Sequence, residues 1–208
     1  MDESSTTLYL VRHGATPANE QQPAILQGCG VNNGLSTRGR EQAQQVGEFL
    51  ATLPLDAVFC GPLLRAVETA EAIATRRGLG VETVDAIHEV NVGRFERLDW
   101  GQIEHDFPEE YRRFREDPVN VGYPDGESLQ GVQQRIVPAF ESLLQANVGR
   151  TIAVVAHSVV NRVYLSTLLG LDLTQIRSVP QENCCVNVIE FRDSKAKLRS
   201  LNVTFHLK

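Results

Sequence analysis

Two apolar runs of strand length each end at a histidine, and this repeated pattern limits the possible folds more than any other feature of the sequence. "LYLV" at residues 8–11 leads into Arg12 and His13, and "TIAVVA" at residues 151–156 leads into His157. Continuous apolar runs are typical of strands that are covered on both faces, as in a parallel sheet. Because the carboxyl ends of parallel strands meet at one edge, we expect the two histidines to lie close together there.

Helical patterns separate the candidate strands. The strands are predicted at Leu8–Val11, Ala57–Cys60, Thr151–Ala156, Val186–Phe191 and Leu198–Phe205. The helices are predicted after Ser36, from Pro62 to Gly78, after Ser128 and from Val160 to Leu169, where apolar residues recur at spacings of three and four. Pro138 lies inside the third helix and is expected to kink or break it. This alternation predicts a three-layer α/β/α sandwich with a mainly parallel central sheet.

The length of the chain suits one domain. At 208 residues, a single core is expected to span residues 1–208. Residues 100–127 interrupt the strand-helix rhythm with a polar, proline-containing stretch that includes "PEEYRRFREDP". We expect this stretch to form an excursion over the active-site end of the sheet.

Charge and hydropathy restrict the partners. A formal net charge of -6 argues against nucleic acid or an anionic membrane, since both require a concentrated basic surface. No apolar run approaches the roughly 18 residues needed to span a membrane. The opening "MDESSTT" is polar and acidic and lacks the apolar segment of a secretory signal, so a cytoplasmic location is expected. The apolar tail "LNVTFHL" leaves both a monomer and a homodimer open.

The four cysteines do not indicate a metal site. Cys29, Cys60, Cys184 and Cys185 show neither CxxC nor CxxH spacing. We therefore expect reduced thiols that serve in packing, and no bound metal.

Two arginines are expected at the same edge as the histidines. Arg12 directly precedes His13, and the strand "AVFC" leads through Gly61 to Arg65 in the first turn of a helix. The planar guanidinium fork matches two phosphate oxygens, and helix N-termini add N–H donors. A neutral imidazole is a competent nucleophile toward phosphorus. The sequence therefore predicts a local phosphate site within a protein whose overall charge is negative.

A phosphoryl-transfer site also needs a proton source for the leaving oxygen, and a partly buried carboxyl is the usual one. Glu89, in "AIHEVNVGRFE", is the main candidate, at the expected end of a short extended segment. Glu96 and Glu68 are weaker candidates that we expect to be solvated or ion-paired.

Five arginines lie in or near the excursion, and charged stretches of this kind are usually solvated. The alternative is that one or two of them line the mouth of the crevice and hold a second anionic group of the substrate. They are Arg94, Arg97, Arg112, Arg113 and Arg115.

Five motifs in this order, covering nearly the whole chain, resemble branch 1 of the histidine phosphatase superfamily, the phosphoglycerate mutase-like group. They are "LVRHGATPANE", "LSTRGREQA", "PLLRAVETA", "IHEVNVGRFE" and "VVAHSVVNR". The resemblance implies that His13 is the nucleophile that becomes phosphohistidine and that Glu89 is the proton donor. It also implies a phosphate site without metal or other cofactor, which is formed by Arg12, Asn19, Arg65 and His157. Ser158, where the family usually has glycine, is placed with the substrate-binding residues.

Several positions depart from the family pattern on the leaving-group side of the pocket. An acidic residue often follows the first motif's glycine, where this chain has Ala15, and the usual QGxxDxPL loop is replaced by the longer "QGCGVNNGL". The residues after Glu89 read "VNVG", which lacks the Arg/His/Tyr/Gly signature of cofactor-dependent phosphoglycerate mutases. We therefore predict a phosphatase acting on a small phosphomonoester. The alternatives are a mutase-type phosphoryl transfer and a non-catalytic phosphate-binding module.

Overall fold

A computed structural model describes residues 5–208, in which a six-stranded sheet lies between two layers of helices. The first four residues of "MDESSTT" lie outside the described residues. The strands are β1 (Thr6–Arg12), β2 (Ala57–Cys60), β3 (Val81–Thr83), β4 (Thr151–Ala156), β5 (Val186–Arg192) and β6 (Lys195–Val203). The helices are α1 (Pro17–Glu20), α2 (Thr37–Ala51), α3 (Leu64–Thr75), α4 (Trp100–Asp106), α5 (Pro108–Glu116), α6 (Leu129–Ala146) and α7 (Ser158–Leu169). Short 3-10 turns lie at Asp85–Ile87, Gly93–Phe95 and Leu173–Ser178.

The strand order is β3-β2-β4-β1-β5-β6. The first four of these strands are mutually parallel, whereas β5 and β6 pair antiparallel at one edge. The predicted α/β/α sandwich with a mainly parallel sheet is therefore confirmed. The prediction missed β3, because three residues at an exposed edge carry little apolar signal, and it placed the last strand about three residues too late.

Alternate residues of the central strands face the two helix layers. In β4, Ile152 and Val154 pack with α6 and α7, while Ala153 and Val155 pack with α2 and α3. All six β4 side chains are buried. This burial on both faces explains the continuous apolar run that marked the strand in the sequence.

Three of the predicted helix boundaries follow from capping, whereas α3 is shorter than the predicted Pro62–Gly78 and α7 begins two residues before the predicted Val160. The Ser36 hydroxyl accepts a hydrogen bond from the Gly39 amide and begins α2, and Ser128 does the same for Gly131 at the start of α6. Helix α7 ends at Gly170, whose φ of 66° suits the left-handed C-cap.

Pro138 does not break α6, which runs without interruption from Leu129 to Ala146. The expected break fails because Pro138 lies on the exposed face, as does Gln134, whose carbonyl loses its helical partner. Water can solvate that carbonyl at the surface. The opposite face, with Val132, Ile136 and Phe140, is buried against the sheet.

Residues 100–127 contain the two short helices α4 and α5 and a following turn. Their aromatic side chains pack on one another: the Trp100 and Phe114 ring centroids lie 5.9 Å apart, and those of Phe114 and Tyr123 lie 4.4 Å apart. Among the helices of residues 5–208, none combines the length and apolar character required to cross a membrane.

Candidate active site

The register of β1 and β4 brings the two histidines together. Arg12 is the Cα partner of Ala156 in this parallel pair, so His13 and His157 follow at adjacent positions beyond the strand ends. Both side chains are buried, and their ring centroids lie 5.3 Å apart. The proximity expected from the sequence is therefore a direct result of strand register.

The His13 ring is held in one tautomer. Its Nδ1 lies 2.7 Å from the Gly14 carbonyl oxygen. Since a carbonyl can only accept, Nδ1 carries the proton and Nε2 keeps its lone pair. The unprotonated Nε2 is therefore the nitrogen that can attack an electrophile.

Arg12 and Arg65 lie beside the histidines, and both donate hydrogen bonds to backbone carbonyls. Arg12 Nη1 donates to the Gln181 carbonyl at 2.6 Å. Arg65, which is fully buried, donates from Nη1 to Val31 at 2.8 Å and from Nη2 to Gly28 at 3.0 Å. In each guanidinium the Nε–H group is buried without a hydrogen-bond partner among residues 5–208.

His157 also lacks hydrogen-bond partners within the described chain. The residue is 0% exposed, and both of its ring nitrogens are buried and unpaired. Unpaired buried polar groups cost about 1–3 kcal/mol each, so four such nitrogens in one place indicate a site built to receive a polar ligand.

Electrostatics keep both imidazoles neutral. Burial lowers the pKa of His13 well below its usual value, and the cations of Arg12 and Arg65 lower it further. The pKa of His157 is likewise well below its usual value because of burial and the neighbouring Arg65. Neutral His13 is the nucleophilic form, and the concentrated positive charge favours an anion.

Glu89 lies at the same edge and is 3% exposed. Its Oε1 accepts from the Val90 amide at 2.9 Å, and its Oε2 accepts from the Val159 amide at 3.2 Å. These two bonds fix the plane of the carboxyl group and leave each oxygen a further lone pair.

These residues surround a cavity of about 150 Å³, and Arg12, His13, Asn19, Glu89 and Ser158 line it directly. The Asn19 oxygen accepts from the Thr16 amide at 3.1 Å, which leaves the Asn19 NH₂ group as a donor. The Ser158 hydroxyl accepts from Arg162 at 2.6 Å. Arg65 and His157 do not line the cavity surface but lie behind it, beside His13.

The two weaker carboxyl candidates have structural partners. Glu96 accepts from the amides of Gly28 and Gly30, and Glu68 accepts from the amide of Leu35 at 2.6 Å. Both therefore bind the backbone of the loop that Arg65 also holds, instead of being solvated or ion-paired as expected.

Three polar residues at the site were not predicted from the sequence. Gln27 lines the cavity, and its Nε2 is buried without a protein partner. Arg162 holds Ser158, and Gln181 holds Arg12 through its backbone carbonyl. Gln27 and Arg162 lie within quoted motifs, "QGCG" and "VVAHSVVNR", and their position there was the signal available.

Helix α2 packs directly on the loop that follows His13. The Ser36 amide donates to the Ala15 carbonyl at 2.9 Å. A Cβ added at Gly39 would lie 1.9 Å from that same carbonyl oxygen. The glycine is therefore required for the backbone of α2 to approach the loop this closely.

Within residues 5–208, no group of three or more His, Cys, Asp or Glu side chains has an arrangement suited to a metal ion. All four cysteines are free thiols, and Cys60, Cys184 and Cys185 are buried.

Comparison with known proteins identifies a phosphoric monoester hydrolase. The family model of the histidine phosphatase superfamily (branch 1) matches residues 8–204. The chain belongs to this family, and the resemblance seen in the five sequence motifs is confirmed.

Relatives of the chain include both phosphatases and mutases by name. Phosphoserine phosphatase 1 of Hydrogenobacter thermophilus is 32% identical over 200 residues, which cover 96% of this chain and 93% of the relative. A probable phosphoglycerate mutase GpmB of Citrobacter koseri is 29% identical, covering 90% of this chain and 86% of the relative. The solved structure of Bacillus stearothermophilus YhfR superposes with a TM-score of 0.88 at 27% identity, covering 98% of this chain and 100% of that chain.

Proposed function

We propose that this protein hydrolyses small phosphomonoesters in two steps through a phosphohistidine on His13. The observation that carries the proposal is the set of buried nitrogens without protein partners: Arg12 Nε, Arg65 Nε and both ring nitrogens of His157. Arg12, Arg65 and His157 all lie close enough to His13 to interact with it electrostatically or through ring contact. A phosphate dianion supplies acceptors for the two Nε–H groups and for the one protonated ring nitrogen of neutral His157.

In the first step, His13 Nε2 attacks phosphorus and the bond to the ester oxygen breaks. Glu89 gives its proton to the departing oxygen, which leaves as an alcohol. Arg12, Arg65 and His157 spread the negative charge of the transferring phosphoryl group, which is the main demand of this reaction.

In the second step, water attacks the phosphohistidine and the Glu89 carboxylate accepts a proton from it. The Nε2–phosphorus bond breaks, inorganic phosphate leaves and His13 returns to its neutral form. The bond from Nδ1 to the Gly14 carbonyl holds the ring in one orientation throughout. Asn19 and Gln27 supply further donors at the cavity wall.

The nucleophile is tested by labelling. We expect His13→Ala to abolish both phosphate release and the transfer of ³²P from substrate to an acid-labile, base-stable protein adduct. His105→Ala is the matched control because His105 is exposed and lies outside the cavity. A His13→Ala protein with normal turnover would refute the mechanism.

The proton donor is tested by varying the leaving group. We expect Glu89→Gln to slow alkyl phosphates by about 10²–10⁴-fold and 4-nitrophenyl phosphate much less, since an activated phenoxide leaves without a proton. Equal slowing of both substrates would assign the proton to another group.

The mutase alternative is tested by product analysis on a phosphorylated sugar acid. Free phosphate identifies a hydrolase and an isomerised ester identifies a mutase. We further propose that the protein works in the cytoplasm; its four cysteines are free thiols, as is usual for proteins of a reducing compartment.

A further inference from the structure

A second, larger cavity adjoins the phosphate cavity. Its volume is about 590 Å³, within the range of small-molecule sites and several times that of its neighbour. Tyr123 and Val159 line both cavities. The two cavities therefore adjoin at these two residues.

Val159 and Tyr123 lie where the leaving group departs. The Val159 amide donates to Glu89 Oε2, and Glu89 is the proposed proton donor to the ester oxygen. An alcohol whose oxygen lies beside Glu89 therefore has its carbon skeleton directed past Val159 and Tyr123 into the larger cavity.

One side of this cavity is aromatic and apolar. Trp100 and Phe114 stack with an interplanar angle of 21°, and Phe114 contacts Tyr123. Leu129 and Ile176 complete the apolar part of the lining. Such a surface suits a ring or another bulky hydrophobic body rather than the short backbone of a three-carbon acid.

The polar part of the lining is cationic. Arg115, Arg162 and Arg177 line the cavity, and the lining includes no aspartate or glutamate. Among residues 5–208, none of these three arginines forms an ion pair with a carboxylate. Burial lowers the pKa of Arg162, Glu89 acts in the opposite direction, and the charge of Arg177 lowers it again. Arg162 and Arg177 therefore repel each other, and none of the three arginines has a carboxylate within ion-pair distance among the described residues.

Other arginines of the same region have carboxylate partners. Arg112, on the same helix as Arg115, pairs with Glu116, and Arg94 pairs with Glu110. Of the five arginines that the sequence placed in or near the excursion, Arg115 is the one that lines this cavity.

We infer that this cavity binds the leaving group of the substrate, and that this group is a bulky or ring-containing alcohol with its own anionic substituent. The substituent, a carboxylate or a second phosphate-like group, binds Arg115 and Arg177 at the far end from His13. Trp100 and Tyr123 pack against the body of the leaving group. The inference rests on the proposed function, because it assigns the part of the ester that the phosphate cavity does not hold.

The test compares aryl phosphates that differ only in charge. 4-Carboxyphenyl phosphate and its neutral isostere 4-carbamoylphenyl phosphate have nearly the same size, and because the carboxamide withdraws electrons more strongly, leaving-group reactivity by itself favours the neutral substrate. We expect kcat/KM to favour the carboxylate by about tenfold or more, the usual effect of a hydrogen bond to a charged group. 4-Phosphonophenyl phosphate distinguishes a dianion from a carboxylate as the preferred substituent.

Variants locate the preference. Arg115→Gln and Arg177→Gln should each reduce the preference for the carboxylate several-fold by raising KM for the charged substrate. The kcat for that substrate and the kcat/KM for the carbamoyl substrate should change little. Arg112→Gln is the matched control and should retain the preference. Equal kcat/KM for the two substrates, or an unchanged preference for the carboxylate in both variants, would overturn the inference. Neither result would contradict the proposed hydrolysis.

Binding is measured separately from turnover. Trp100 is the single tryptophan of the chain, so its fluorescence reports on this cavity alone. In His13→Ala, 4-carboxycyclohexyl phosphate should change that fluorescence at lower concentration than the carboxamide analogue, and Arg177→Gln should remove the difference. If no aryl phosphate is hydrolysed the proposed function fails, and this titration still decides whether the cavity selects an anion.

Discussion

Replacing Gly39 by alanine tests how strictly the position of the loop that follows His13 depends on helix α2. The new Cβ would lie 1.9 Å from the Ala15 carbonyl oxygen and 2.8 Å from the Ala15 carbonyl carbon. Ordinary contacts begin at 3.4 Å, so the helix and the loop must separate by about 1.5 Å. Both partners are backbone, and no side-chain rotation relieves the clash.

Two consequences of this separation can be estimated. Overpacking of this kind costs about 1–3 kcal/mol, which for a chain of this length lowers Tm by about 2–12 °C. The loop also carries Gly14, whose carbonyl fixes the His13 tautomer. A displacement of about 1 Å in a catalytic group can cost about 10²-fold in rate, so kcat/KM should fall at least that far.

Two other glycines separate these effects. A Cβ at Gly47 would lie 2.6 Å from the Ala72 carbonyl oxygen, between α2 and α3, so Gly47→Ala should lower Tm with kcat/KM nearly unchanged. A Cβ at Gly131 meets the Ser128 hydroxyl at 3.5 Å, and Gly131→Ala in α6 should stabilise the protein by about 0.5–1 kcal/mol.

The assay is thermal melting combined with initial rates on 4-nitrophenyl phosphate. A Gly39→Ala protein that keeps kcat/KM within about twofold of wild type would show that α2 does not position the loop. A rate loss in Gly47→Ala equal to that in Gly39→Ala would attribute the effect to general destabilisation.

Further predictions concern charge and loop anchoring. In the folded protein His13 and His157 stay neutral because burial lowers their pKa. In the unfolded chain both histidines take up protons below about pH 6.5, so Tm should fall as pH drops from 7 to 5. His13→Asn should make Tm depend less steeply on pH. A Tm of the wild-type protein that rises on acidification would contradict the prediction. Arg65→Lys should lower kcat/KM by about tenfold to a hundredfold and raise the inhibition constant of phosphate, because an ammonium cannot bind the Val31 and Gly28 carbonyls and also present the Nε–H donor. An unchanged inhibition constant would exclude Arg65 from phosphate binding. Glu96→Gln should lower the free energy of unfolding, measured with denaturant, by about 1 kcal/mol, because it removes one of the two oxygen acceptors for the Gly28 and Gly30 amides. An unchanged free energy of unfolding would show that the Glu96 carboxylate does not stabilise the loop.

The central sheet was predictable because its signal is local. The β4 run is apolar at all six positions since both faces are covered, and capping by Ser36 and Ser128 marks helix starts within four residues of chain. The meeting of His13 and His157 followed from one rule about parallel strand ends.

The remaining features depend on residues far apart in the chain. Arg12 is held by the carbonyl of Gln181, 169 positions away, and no local pattern records such a partner. Likewise, the exposure of Pro138 depends on which face of α6 meets the sheet. The partner of Arg12 and the exposure of Pro138 both depend on tertiary packing, about which composition and residue spacing carry little information.

The position of β1 in the sheet has a consequence for biosynthesis. Leu8 pairs with Ile152 on one side and with Ile189 on the other, so the first strand made has no neighbour in the sheet until most of the chain has been synthesised. The Cys184 amide, which donates to the Arg12 carbonyl, arrives equally late. Long-range pairing of this kind is slow and leaves an apolar segment unpaired on the nascent chain. A ribosome-bound chain stopped before β4 would therefore have His13 without His157 beside it, and chaperones would meet "LYLV" well before any substrate does.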